Sequence, residues 1–121
     1  MRHQNKVREF GREADQRKAL FRTMLGSLIM QEKIETTEAK AKELKNRIDR
    51  LVNKAKKGKK ALSKMNTIRD LRKYIPGMAT QKLMGDFSDK FSKRNSGYTR
   101  IIKLATRKSD SARLAIIEFV D

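Results

Sequence analysis

Apolar residues recur at helical spacing along most of the chain and give way to strand-like runs near its end. Leu20, Phe21, Met24, Leu25, Leu28 and Ile29 mark one broad helical face. Asp15, just ahead of them, suits the positive end of that helix. The short stretch Lys33 to Thr37 is β-capable around Ile34. Thr36 or Thr37 then caps a second helix, with Glu38 in its first turn. Ala41, Leu44, Ile48, Leu51, Val52 and Ala55 form its apolar stripe, and Gly58 reads as its C-cap or as a helix–helix turn.

A third helix is predicted from Lys59 to Tyr74, with Leu62, Met65, Ile68 and Leu71 spaced by three and Pro76-Gly77 as the stop. A fourth, over about 79–92, buries Leu83, Met84, Phe87 and Phe91, with Gly85 as a weak point. Tyr98 to Ala105 and Leu114 to Val120 are rich in β-formers and flank the polar stretch Arg107 to Ser111, which predicts a β-hairpin. The order is helix, short strand, three helices, hairpin: an α+β domain whose helices cover one face of a small sheet. Residues 1–12 stand apart. Phe10 is their only large apolar side chain among Arg2, Lys6, Arg8 and Arg12, too little to offset ordering entropy. They read as an extended basic arm on a single globular domain over 13–121.

Charge adds a partner to this picture. The 121 residues hold 31 Lys and Arg against 14 Asp and Glu, a formal +17. Such a chain repels itself until a polyanion neutralises it. The excess falls in the arm, in residues 40–73 and in residues 90–113 rather than in one run. Nucleic acid fits that distribution, since each Lys or Arg that meets a phosphate releases condensed counterions. No stretch approaches the roughly 18 apolar residues of a bilayer span, and no apolar segment follows the N-terminus as in a signal peptide. The reading is a cytoplasmic chain with no membrane and no small-molecule substrate as partner.

Catalysis finds little footing. There is no cysteine and one histidine, so disulfides, thiolate zinc sites and His-based nucleophilic triads lack their parts. No glycine-rich phosphate loop is present either. No cofactor or metal is expected. Phe21, Phe87, Phe91 and Phe119 lie on apolar stripes and read as core. Tyr98, after Ser96-Gly97, reads either as a half-buried strand residue or as a ring set beside RNA. A DNA-compacting nucleoid protein is the rival reading, because it too needs high positive charge and no catalytic site.

Ordered motifs favour RNA. Met1-Arg2-His3, Arg17-Lys18-Ala19-Leu20-Phe21-Arg22, Gly26-Ser27-Leu28-Ile29, Ile34-Glu35-Thr36-Thr37 and Lys40-Ala41-Lys42-Glu43-Leu44 occur in sequence. Gly97-Tyr98-Thr99-Arg100-Ile101 and Ile116-Ile117-Glu118-Phe119-Val120 follow near the end. Over about 1–45 and 94–121 the chain resembles the family of ribosomal protein seventeen of the bacterial large subunit. That resemblance implies a mixed three-stranded sheet beside the helices. It also implies binding to large-subunit ribosomal RNA near the peptide-tunnel exit, next to neighbouring ribosomal proteins. By position, Arg2, His3, Lys6, Arg8 and Arg12 would thread between RNA helices. Arg17, Lys18 and Arg22 would face phosphates from the first helix, Lys40 and Lys42 from the second, and Tyr98 and Arg100 from the hairpin.

Overall fold

The computed structural model describes residue 8 and residues 10–60 and 64–120. Its elements run α1 (Ala14–Gln31), β1 (Lys33–Thr37), α2 (Glu38–Lys60), α3 (Lys64–Leu71), α4 (Gly77–Met84), a 3-10 helix (Asp86–Phe91), β2 (Thr99–Lys103) and β3 (Leu114–Phe119). The α+β class and the order of elements are those the sequence predicts. The sheet order is β1-β3-β2, and both edge strands pair antiparallel with β3. The sheet is therefore antiparallel throughout and not mixed. The last strand inserts between two strands that it opposes in direction, which leaves no parallel pair in hydrogen-bonding contact.

Helix α2 is the centre of the molecule and packs against every other element. Its stripe of Ala41, Leu44, Ile48, Leu51, Val52 and Ala55 is buried as predicted. Each of the large side chains contributes roughly 1.5–3 kcal/mol by leaving water. α1 adds Phe21, Leu25, Leu28 and Ile29, and β3 adds Ala115 and Ile117 from the sheet face turned toward α2. Thr37 caps α2 through its hydroxyl, which accepts from the Lys40 amide at 3.4 Å. α1 ends at Glu32, whose left-handed backbone (φ 66°) returns its N–H to the Leu28 carbonyl.

Three boundaries differ from the sequence reading, each for a packing reason. α2 does not stop at Gly58 but runs to Lys60, because Gly58 is buried and faces Thr67 of α3 with no room for a Cβ. α3 is correspondingly short, and Met65, placed on its apolar stripe by spacing, is 54% exposed. Leu62 lies outside the described residues. The predicted fourth helix divides at Gly85, which leaves α-helical geometry and starts the 3-10 helix that carries Phe87 and Phe91 into the core. Gly26 in α1 allows another close approach: a Cβ there would lie 2.7 Å from Pro76 Cδ, so only glycine lets the turn before α4 dock on α1.

Of the arm, Arg8 and Phe10 to Arg12 are described. Phe10 stacks edge-on against Phe21 at 5.5 Å, so the apolar residue of the arm anchors its end to the core. Arg2, His3 and Lys6 lie outside the described residues.

Candidate nucleic-acid interface

The cations divide into those that hold the fold together and those left facing solvent. The lysine run 54–60 shows the division within a single helix. Lys56 donates to the carbonyls of Phe91 and Arg94 and to the Tyr98 hydroxyl. Lys59 reaches the Gly85 carbonyl, the Ser88 hydroxyl and Asp89. Lys54 pairs with Asp70 at 2.9 Å, and its ammonium holds that carboxyl below the ordinary carboxylate range by hydrogen bonding. Lys57 and Lys60 have no such partner among the described residues. The run is therefore as much a brace for residues 85–98 as a charged surface.

Asp49, Asn53 and Lys56 form the matching clamp. They sit at i, i+4 and i+7 on one side of α2, close enough to act together. The Asp49 carboxylate accepts from the amides of Gly97 and Tyr98, both at 3.3 Å. Asn53 accepts from the Tyr98 hydroxyl at 2.5 Å. The Tyr98 ring is fully buried and edge-on to Phe91. This corrects one sequence-level expectation. Tyr98 does not present its ring to RNA, because the clamp and the aromatic cluster take up all of its surface. Spacing within the hairpin gives no sign of this, since the clamp residues on α2 lie more than forty residues earlier.

The remaining candidates spread over three areas. In the first, Arg8, Lys42 and Arg113 line one shallow depression of about 300 Å³ at the start of α2. Arg8 is bound to Glu43 at 3.1 Å and Lys42 to Glu38 at 3.0 Å. Lys103 adds a second cation 3.6 Å from Glu38. The hydrogen bond from Lys42, then the field of these cations, keeps the Glu38 carboxyl below its usual range. Arm, second helix and hairpin thus converge here, although sequence separates them widely.

Arg12 and Arg17, from the arm and the start of α1, are engaged with backbone. Arg12 donates to the Phe10 carbonyl at 2.8 Å, and Arg17 to the Arg12 carbonyl at 2.6 Å. Lys18 and Lys40 have no hydrogen-bond or ion-pair partner among the described residues. In the second area, Arg22 points from α1 to the turn after α3, where the carbonyls of Arg72 and Ile75 each lie 3.5 Å away. In the third, Arg100 stands on the sheet face turned away from α2 and pairs with Glu118 at 2.7 Å. No described helix is long and apolar enough to cross a membrane.

The sequence profile described as Ribosomal protein L17 matches residues 20–120. The chain belongs to the ribosomal protein L17 family. A relative from Thermodesulfovibrio yellowstonii, named large ribosomal subunit protein bL17, is 48% identical over all of this chain and 88% of its own length. A second of that name, from Hydrogenobaculum, is 47% identical over the whole of both chains. A third, from Staphylococcus haemolyticus, is 42% identical over 94% of this chain and 98% of its own. Membership of the L17 family thus extends through the middle region, beyond the terminal motifs that carry the resemblance in the sequence.

Proposed function

We propose that the protein is a structural, non-catalytic constituent of the bacterial large ribosomal subunit, binding and stabilising large-subunit ribosomal RNA in the cytoplasm beside neighbouring ribosomal proteins. Family membership and the printed names of the relatives support this reading. The observation that carries it is the uncompensated charge. The positive excess falls in three separate stretches, the arm, residues 40–73 and residues 90–113, and solvent-facing cations such as Lys18, Lys40 and Lys57 have no acidic partner among the described residues. A polyanion of many phosphates is the partner that such a surface binds, by counterion release.

In this reading the globular body is a rigid carrier and residues 1–12 are a basic arm that RNA neutralises. Arg2, His3 and Lys6 reach RNA from the arm. Arg8, Lys40 and Lys42 do so around the start of α2, Arg12, Arg17 and Lys18 from the arm and the start of α1, Arg22 from the far flank of α1 and Arg100 from the outer sheet face. The test is to purify the tagged chain from its own cells in moderately high salt and sequence the nucleic acid crosslinked to it. Large-subunit ribosomal RNA at a few fixed positions is the expected result. Scattered genomic DNA would favour a DNA-compacting role, and no nucleic acid would end both readings.

A further inference from the structure

A groove between α1, α2 and the turn after α3 has no part in the contacts considered so far. It encloses about 200 Å³ and is lined by Leu25, Arg47, Arg50, Leu51, Lys54 and Tyr74. Arg47, Arg50 and Lys54 are spaced i, i+3 and i+7, so α2 lines them up along one edge of its buried stripe. Leu25 and Leu51 form an apolar floor beneath them.

We infer that this groove receives one unpaired RNA nucleotide, its base against the Tyr74 ring and its phosphate on Arg50. The inference rests on the RNA-binding reading above and gives it a specific contact. Four observations carry it. Tyr74 is a large aromatic residue left 47% exposed at the rim of a concave site. Lys54 lies over its ring, 4.8 Å from the centroid, and Arg47 lies over Phe21 at 4.2 Å. These two cations are thereby fixed in position, while exposed Arg50 has no hydrogen-bond or ion-pair partner among the described residues and is available to an anion. Lys54 covers one face of the ring, and the exposed remainder of Tyr74 beside an arginine is the combination that unpaired nucleotides use, the ring taking the base and the guanidinium the phosphate.

The turn that presents Tyr74 is already organised. The amides of Tyr74 and Ile75 both donate to the Leu71 carbonyl at 2.9 and 3.0 Å, and the following Pro76 is seated against Gly26. Little ordering is left to do on binding. Size and shape narrow the occupant. At about 200 Å³ the groove is smaller than the roughly 300–1,000 Å³ of sites that enclose a drug-sized ligand, so it seats part of a nucleotide at its rim and does not enclose a free small molecule. A base-paired nucleotide could meet Arg50 with its phosphate but keeps its base inside the stack, away from Tyr74. A splayed nucleotide satisfies both ends.

The experiment uses the full chain and its large-subunit ribosomal RNA, with affinity measured across a salt series. Tyr74→Leu keeps apolar cover on the groove and removes the π-face; it should weaken binding by about 5- to 150-fold, the range of one lost base stack, with the salt slope unchanged. Tyr74→Phe should bind like the natural chain. Arg50→Gln should lower the salt slope by about 0.7 to 0.9. Ultraviolet crosslinking at Tyr74 should map to one unpaired nucleotide. If the natural chain binds tightly but Tyr74→Leu matches it, or if Tyr74 crosslinks to duplex RNA, the groove assignment is wrong while RNA binding stands. If the natural chain shows no salt-dependent affinity for this RNA, the RNA-binding reading fails and the assignment fails with it.

Discussion

The Tyr98 hydroxyl and the Asn53 side chain meet at 2.5 Å, joining the start of β2 to the middle of α2. Lys56 donates to the same hydroxyl at 3.1 Å. Tyr98→Phe leaves Asn53 without this donor and takes from Lys56 one of its three acceptors, and should destabilise the fold by about 1–3 kcal/mol. Urea denaturation measures the loss. RNA affinity of the folded variant should be that of the natural chain, because the ring faces the core; a large loss of affinity at full folding would return Tyr98 to the binding surface.

That pair also marks how far sequence reaches. The α2 stripe, β1 and the hairpin were legible because a periodic pattern needs only local neighbours. Tyr98 stands between two roles in the sequence because its burial depends on Asp49, Asn53 and Lys56, remote from the hairpin on α2, as well as on nearby Phe91. Gly58 reads as a C-cap or a helix–helix turn because glycine often stands at those places, whereas here contact with Thr67 requires it inside a helix. The candidate cations were legible by type only. Sequence does not distinguish Lys56, which is held by three acceptors, from Lys57, which faces water. The groove at Tyr74 was invisible, since it joins residues from three separate segments.

Gly58→Ala sets two effects against each other. Alanine improves helix propensity by about 1 kcal/mol. The new Cβ, however, meets the Thr67 side chain, and overpacking of this kind costs about 1–3 kcal/mol. The variant should be less stable than the natural chain in thermal or urea unfolding, against what propensity alone predicts. A gain in stability would mean that α3 moves aside freely.

Lysines of equal charge should behave differently according to their partners. Lys18→Gln and Lys40→Gln should each lower the slope of log affinity against log salt by about 0.7 to 0.9, with little change in unfolding. Lys56→Gln should do the reverse, lowering the unfolding midpoint and changing the slope less. Fluorescence anisotropy over a salt series and urea titration separate the two outcomes.

The hairpin loop carries an acid-sensitive bond. Arg107 donates to Asp110 through two nitrogens at 2.9 Å, and the Ala112 amide donates to the same carboxylate at 3.1 Å. The hydrogen bonds from Arg107, then that from Ala112, bring the Asp110 carboxyl down to about 2. A depressed carboxyl stabilises the loop above its ordinary range near 3.8, and the contribution fades as pH falls toward 2. The Ala112 amide resonance should therefore titrate with a midpoint near 2. In Asp110→Asn that transition should be absent.

The position of β3 determines when the sheet can exist. Thr99 of β2 pairs with Phe119 across a short loop, while Lys33 of β1 pairs with Glu118 across the whole helical region. During synthesis both edge strands leave the ribosome before the strand that joins them. Closing the hairpin spans a shorter loop, and so costs less chain entropy, than bringing β1 to β3 across the helical region. Until β3 has emerged, β1 lacks the strand it pairs with. Its charged Lys33 and Glu35, both exposed, are the kind of side chains that keep a waiting edge from pairing with a neighbour.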